Sequence, residues 1–305
     1  MKKLATVTIT LCAYNEAANI EGFLRSVIRQ REDGFKISSI LIVDDGSTDT
    51  TVEEILKVSD PRIKVISSKK RIGKSSHLNE IYEGLTDDYL VQTDADVIFS
   101  HEYIVRDMIQ PLMQDPKVGM CGGNPLPCRS TTFIEESVNY TVSVYARLRS
   151  LVRGGNNVFS VDGRLLSYRK ELVKEIFVPI NMIANDMFTF FCCKTLGYQY
   201  RFVESAIVNF QSPKTVRDQI RQNTRFRAAP IRMKKYFDEE LVRNETKIEN
   251  RLLLSLYLVT FIKHPVHCSV IYAVNLYTKI LAKMKEDSLT AKWDMAVTTK
   301  KLKYV

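Results

Sequence analysis

Apolar positions recur with a period of two or in short unbroken runs at regular intervals along the first 120 residues, separated by amphipathic stretches of helical period. The alternation Thr6-Val7-Thr8-Ile9-Thr10-Leu11 predicts a strand over 6–12, followed by a helix over 17–29. Ile40-Leu41-Ile42-Val43 predicts a buried strand, with a helix over 51–58, a strand over 63–66, a helix over 75–85 and a strand over 89–92. Strands that alternate with helices argue for an α/β fold with a mostly parallel sheet. Glycine and proline thin out after Pro127, and 133–152 reads as one long helix that ends at Arg153-Gly154-Gly155. No internal repeat or low-complexity linker follows, and the chain divides into 1–230 and a helical, basic extension over 231–305.

Two carboxylate clusters follow predicted strands directly: Asp44-Asp45-Gly46-Ser47-Thr48-Asp49 after the second, and Asp94-Ala95-Asp96 after the fourth. In an open α/β sheet ligands lie beyond the carboxyl ends of the strands, so both clusters point to one crevice suited to a nucleotide and a divalent cation. Asp45 can accept hydrogen bonds from an imide or a ribose hydroxyl, while Asp49 is placed to cap the helix that follows. Asp94 and Asp96, two apart in extended backbone, project to one side, and an all-oxygen donor set suits Mg2+ or Mn2+. Lys74 follows Gly73 just before a predicted helix, where an ammonium and a helix N-terminus can face a diphosphate together.

Composition excludes other chemistry. The six cysteines form no CxxC pair and the four histidines no HExxH, so zinc and thiol-redox signatures are missing. The N-terminus passes into a strand pattern without a signal-peptide core, which with the cysteine usage predicts a cytoplasmic protein. Net charge is +9, of which residues 231–305 carry +6. Such an excess is usually only a solvated face, or it marks contact with an anionic partner; no nucleic-acid-binding motif accompanies it, so lipid is favoured over nucleic acid.

The tail leaves two alternatives open. Residues 252–262 are almost wholly apolar between Arg251 and Lys263; Lys263-His264-Pro265 interrupts them, and 270–281 resumes with Asn275 and Lys279 inside. A bilayer span needs about 20 apolar residues. The two pieces therefore form either a helical hairpin buried on the 1–230 unit or a pair of interfacial helices lying on a membrane, beside Lys279, Lys283, Lys285, Lys292, Lys300, Lys301 and Lys303.

In order along the chain stand Ala13-Tyr14-Asn15-Glu16, Asp44-Asp45-Gly46-Ser47-Thr48-Asp49, Gly73-Lys74 with Leu78-Asn79, Asp94-Ala95-Asp96, Asn185-Asp186 and Gln222-Asn223-Thr224-Arg225-Phe226. By these motifs residues 6–226 resemble a family 2 glycosyltransferase of the GT-A fold, the group of polysaccharide and glycolipid synthases. The resemblance implies a nucleotide diphosphate sugar, a UDP-sugar first, bound by Ala13, Tyr14, Glu16, Asp45, Lys74, Asn79, Asp94, Ala95 and Arg225. It implies Asp96 as the metal ligand, Asp186 as general base toward a glycan or lipid-linked hydroxyl, and inversion at the anomeric carbon. Gln222 and Phe226 would stand on the acceptor side, with Phe226 where the family has Trp. Asn185 replaces the family's usual glutamate. Trp293 near Thr298-Thr299-Lys300 resembles a C-terminal gating segment of membrane-bound relatives, or serves as a packing anchor. Two rival functions are a polyprenyl-phosphate glycosyltransferase, whose anionic nucleophile needs no base, and a non-catalytic carbohydrate-binding scaffold.

Overall fold

The computed structural model of the chain describes residues 4–292 and 297–299. Its strands are β1 (Ala5–Ala13), β2 (Phe35–Asp44), β3 (Ile63–Ser67), β4 (Tyr89–Asp94), β5 (Val97–Phe99), β6 (Val118–Pro127), β7 (Leu165–Arg169) and β8 (Gln199–Phe210). Its helices are α1 (Ile20–Ile28), α2 (Thr51–Leu56), α3 (Lys74–Gly84), α4 (Ile104–Gln114), α5 (Phe133–Leu151), α6 (Lys170–Lys174), α7 (Asn185–Thr195), α8 (Val216–Met233), α9 (Glu239–Thr246), α10 (Asn250–Lys263) and α11 (Pro265–Lys285).

The strands form one sheet in the order β3-β2-β1-β4-β7-β6-β8-β5. It is mixed. β1 to β4 pair in parallel, as the intervening helices require, and β6 pairs in parallel with β8. β7 runs antiparallel to both β4 and β6, and β5 antiparallel to β8. β2 begins at Phe35, earlier than the apolar run suggests, because Phe35 and Ile37 are buried and the polar Ser38 is satisfied by the Val7 carbonyl and the Asp87 carboxylate.

Alternation of side chains distributes each strand between two buried layers. Val7, Ile9 and Leu11 of β1 and Val91 of β4 pack with Phe23, Leu24 and Val27 of α1 and Met108 and Leu112 of α4. On the opposite face Leu90, Leu166 and Tyr168 pack with Leu78 and Tyr82 of α3 and Phe190 and Phe191 of α7. Register then fixes the site: Ala13 pairs with Asp44 and Cys12 with Asp94, so the carboxyl ends of β1, β2 and β4 finish level with one another.

Beyond α8 the packing thins. α11 buries Cys268, Ile271, Asn275, Thr278 and Ala282 as it lies against α8 and α5, whereas α10 buries only Thr260 among its 14 residues. Among the described residues no helix is long and apolar enough to cross a membrane. Trp293, Lys300, Lys301 and Lys303 lie outside the described residues.

Candidate functional site

A cleft of about 630 Å³ opens above the level ends of β1, β2 and β4. Of the residues singled out in the sequence it is lined by Ala13, Tyr14, Glu16, Asp45, Lys74, Asp94, Ala95, Asp96, Asp186, Gln222, Arg225 and Phe226. Asn79 is the exception and its assignment is corrected. It does not line the cleft: its amide donates to the Val178 carbonyl (2.9 Å) and its carbonyl accepts from the Val178 N–H (2.8 Å), a clamp between α3 and the 176–184 loop. Both of its amide groups are taken up by the Val178 backbone, which accounts for the difference.

At one end the loop after β1 is stapled to the loop after β2. The Asn15 N–H donates to the Ser47 hydroxyl (2.9 Å), the Thr48 N–H to the Asn15 side-chain Oδ1 (2.8 Å), and the Glu16 N–H to the Thr51 hydroxyl (2.8 Å). Gly46, at φ +74°, lets the chain turn where a Cβ would come within 3.0 Å of the Lys70 and Arg71 backbone. The N-cap of α2 is Thr50, without a side-chain cap bond; Asp49, one residue before it, accepts the Thr51 N–H (3.1 Å). Arg71 stacks over the Tyr14 ring at 4.2 Å, forming a planar wall. Asp45 accepts from the N–H groups of Ile72 (2.6 Å) and Gly73 (3.1 Å) and contacts His77 Nε2 (2.9 Å). Burial pushes its carboxyl up, but His77 and the two N–H groups outweigh that and hold it below the ordinary value.

In the middle, Lys74 opens α3 and pairs with Asp94 at 2.5 Å. Burial opposes its charge, yet Asp94 holds its pKa above the ordinary value. Asp94 ends β4, and Asp96 sits on the turn before β5. Beside them Arg164 pairs with Asp162 (2.9 Å), stacks over Phe210 (3.8 Å), and offers its carbonyl to the Thr93 hydroxyl (2.7 Å). Among the described residues no three His, Cys, Asp or Glu side chains gather as a protein-only metal cage. The donors present are carboxylate oxygens, which fits a hard divalent cation that takes its remaining ligands from a diphosphate and water. Asp94 and Asp96 are the carboxylates that this part of the cleft presents. Cys12 also lines the cleft, and burial pushes its thiol up to about 12.

At the other end Asp186 lies in the first turn of α7, whose N-cap is Ala184. Its Oδ1 accepts the Met187 N–H (2.8 Å) and its Oδ2 the Gly163 N–H (3.2 Å). Burial and the nearby Asp162 raise its pKa, against the Met187 N–H, Lys74 and Arg225. Asn185 accepts the Ser75 hydroxyl at 3.0 Å and so ties α7 to α3. Gln222 and Arg225, one turn apart on α8, face the cleft together, and exposed Phe226 borders it.

Sequence reasoning missed part of this wall. Arg71 stood unremarked in Lys69-Lys70-Arg71, and the Asp162-Gly163 turn before the apolar Leu165-Leu166 was the available signal for Asp162 and Arg164. The end of α11 and the segment after it also fold back: Leu281 and Lys285 of α11, then Ser288, Leu289, Ala291 and Thr299, line the cleft. Arg232 holds this segment by bonds to the Glu286 side chain, the Glu286 carbonyl (2.5 Å) and the Leu289 carbonyl (3.1 Å), and Thr298 donates to Asp218 (2.7 Å). Nothing local in the sequence signals that return.

An open sheet with a carboxylate-lined cleft at the ends of its parallel strands, closed on the far side by α7 and α8, is the architecture of a GT-A glycosyltransferase. The chain belongs to glycosyl transferase family 2, whose family model matches residues 8–177. It is 25% identical over 228 residues to the poly-beta-1,6-N-acetyl-D-glucosamine synthase of Staphylococcus aureus, covering 73% of this chain and 54% of that one. The chain thus spans about half the length of the curated relatives it matches. Among solved structures it resembles the mannosyltransferase of Pyrobaculum calidifontis in complex with GDP-Man and Mn2+, with a TM-score of 0.59 at 18% identity over 94% of this chain and 80% of that one. It also resembles glucosyl-3-phosphoglycerate synthase from Mycobacterium tuberculosis in complex with Mn2+, UDP-Glc and phosphoglyceric acid, with a TM-score of 0.53 at 18% identity over 75% and 79% of the two chains.

Proposed function

We propose that this chain is an inverting, metal-dependent glycosyltransferase that moves a sugar from a nucleotide diphosphate donor, a UDP-sugar first, to a hydroxyl of a glycan or glycolipid. One observation supports this above the others: Asp45, Lys74, Asp94, Asp96, Asp186 and Arg225 converge on one cleft from separate parts of the chain. In this scheme Tyr14 and Arg71 flank the base and Asp45 accepts from it, while Lys74 and Arg225 face the diphosphate. A Mn2+ or Mg2+ ion held by Asp96 would neutralise charge on the departing diphosphate. Asp186 takes the proton of the acceptor hydroxyl, and its raised pKa makes it a stronger base than an ordinary carboxylate. The test is to screen the purified protein against nucleotide sugars with Mn2+, reading nucleotide release with and without lipid extract. No release with any donor would leave the binding scaffold in its place. Undiminished turnover of polyprenyl phosphate by Asp186→Asn would replace the hydroxyl acceptor by an anionic one.

In this scheme the acceptor end works against an anionic membrane surface. The support is an exposed apolar stripe at four-residue spacing on α11, Tyr272, Leu276, Ile280 and Met284, continued by Leu254, Leu258 and Ile262 on α10. Exposed Lys263, Lys279 and Lys283 flank it, which suits anionic headgroups around inserted apolar side chains. Leu281 and Lys285 of the same helix line the cleft, so an acceptor leaving the lipid has a short way to travel.

A further inference from the structure

His77 is fully buried behind the nucleotide end of the cleft, in the first turns of α3, and no step of the chemistry above employs it. Its Nε2 lies 2.9 Å from Asp45 Oδ1 and its Nδ1 3.4 Å from Glu80 Oε2. Both neighbours are carboxylates, which only accept hydrogen bonds, so an imidazole satisfying both must carry protons on both nitrogens. Other charges nearby are engaged elsewhere: Arg71 from the preceding loop stands 3.8 Å from Asp45 Oδ2, and Lys74 on its own helix is turned to Asp94. Burial works against charging the ring, but the bond to Asp45 and the charges of Asp45 and Glu80 hold its pKa above the ordinary imidazole value.

The division of Asp45's hydrogen bonds gives this pair a purpose. Oδ1 receives Ile72 N–H (2.6 Å), Gly73 N–H (3.1 Å) and His77, which fills it, whereas among the described residues Oδ2 shares the Gly73 N–H (3.1 Å) and stands 3.8 Å from Arg71. Gly73, the N-cap of α3 at φ +98°, aims its N–H between the two oxygens. We propose that His77 is the positioning residue of the nucleotide site: it fixes the Asp45 carboxylate so that Oδ2 is the acceptor offered to an N–H or O–H donor of the bound nucleoside. The proposal rests on Asp45 contacting the nucleotide, as above. One helix then sets both ends of the donor, with His77 registering the carboxylate at the base and Lys74 the carboxylate at the diphosphate.

Protonated His77 also balances the Asp45 charge inside the fold. Affinity for the nucleotide is full at pH values below the raised His77 pKa and declines as pH rises through it, while turnover at saturating donor does not follow that decline. The test is calorimetric titration of UDP, and of GDP in parallel, between pH 5.5 and 9, into the parent, His77→Gln and His77→Leu, with kcat and donor KM measured on the same samples. The expectation is that His77→Leu weakens UDP roughly ten- to a hundredfold, the loss of a hydrogen bond to a charged group, with the effect in KM and not in kcat. His77→Gln, which keeps a neutral donor, recovers part of the affinity and loses the alkaline decline. If His77→Leu does not fold, the flat pH profile of His77→Gln carries the same conclusion. A parent that binds UDP with His77→Gln sharing both its affinity and its pH profile overturns the role of His77 alone. A parent that binds neither nucleotide at any pH overturns the nucleotide assignment of the cleft and this role with it.

Discussion

The two ends of the cleft are built by different means. Donor-side residues hang from strand ends held level by parallel pairing, Ala13 beside Asp44 and Cys12 beside Asp94, over a sheet packed on both faces. Residues at the other end hang from α8, which packs along α11 and is tied to it by Asn223 to Asn275 (2.6 Å) and Thr278 (2.8 Å), and from the segment after α11, held by Arg232 to Glu286 and Thr298 to Asp218. A strand end is located by its neighbours' backbones and tolerates little movement, whereas a helix tied at a few points can shift without unfolding the sheet. On the proposed function, donor recognition is a property of the core, and acceptor recognition depends on helix packing and polar ties outside the sheet.

The sharpest way to break this comparison is at Asp186, which should matter to chemistry and to neither end's structure. Asp186→Asn is expected to lower kcat about a hundredfold to ten-thousandfold, the usual span for a lost general base, with UDP affinity within twofold. In the parent, the acid limb of the kcat profile should lie above the ordinary carboxylate range, because burial and Asp162 raise the Asp186 pKa and protonation disables a base. Weakened UDP binding with intact turnover in the variant would exchange the roles of the two ends.

Arg232 tests the acceptor end as a structure. It is buried, bonded to Glu286 and to the 289 carbonyl, and Lys235 (2.5 Å) is the other partner of that carboxylate. Arg232→Ala should cost about 3 kcal/mol of stability, as expected when one partner of a buried pair is removed, and should open 286–292 to protease while UDP still binds. A variant with unchanged melting temperature and unchanged proteolysis would mean the returning segment is held elsewhere.

Asp96 tests the donor end. Asp96→Ala is expected to slow transfer by roughly a hundredfold, the order of several kcal/mol of lost leaving-group stabilisation, and to abolish the response of activity to chelator without a change in melting temperature. Undiminished activity of this variant in chelator would remove Asp96 as the metal residue.

The same contrast decides what the sequence makes legible. Strand ends announce themselves locally, as an apolar run meeting carboxylates, so β1, β2 and β4 and the places of Asp45, Asp94 and Asp96 at the cleft can be read from the chain itself. Asn79 is misplaced by its motif because a motif carries no information about the Val178 backbone that takes up its amide. β7 is not legible as an antiparallel strand, since Leu165-Leu166-Ser167-Tyr168 has no period that fixes direction. Arg164, His77 and the segment folding back after α11 acquire meaning only from partners far away in the chain, which local pattern cannot supply.

The smallest effect on stability, and the one that bears most on the acceptor end, belongs to the apolar stripe. Leu276 and Ile280 are exposed, so Leu276→Glu with Ile280→Glu should change stability by about 0.5 kcal/mol or less per site, as for surface substitutions that touch no partner. If the stripe inserts among lipids, burying two such side chains contributes about 1.5–3 kcal/mol each to binding, and replacing them by carboxylates adds repulsion from anionic headgroups. The parent should sediment with anionic vesicles at low salt and be released in part as the Debye length contracts from about 10 Å at 0.1 M to about 3 Å at 1 M. The fraction that stays bound at high salt measures the apolar contribution, and the double variant should lose it. Equal sedimentation of parent and variant would sink the lipid assignment. So would a concentration-dependent dimer in sedimentation velocity that the same two substitutions dissociate, because a second copy of the chain would then be what covers α10 and α11.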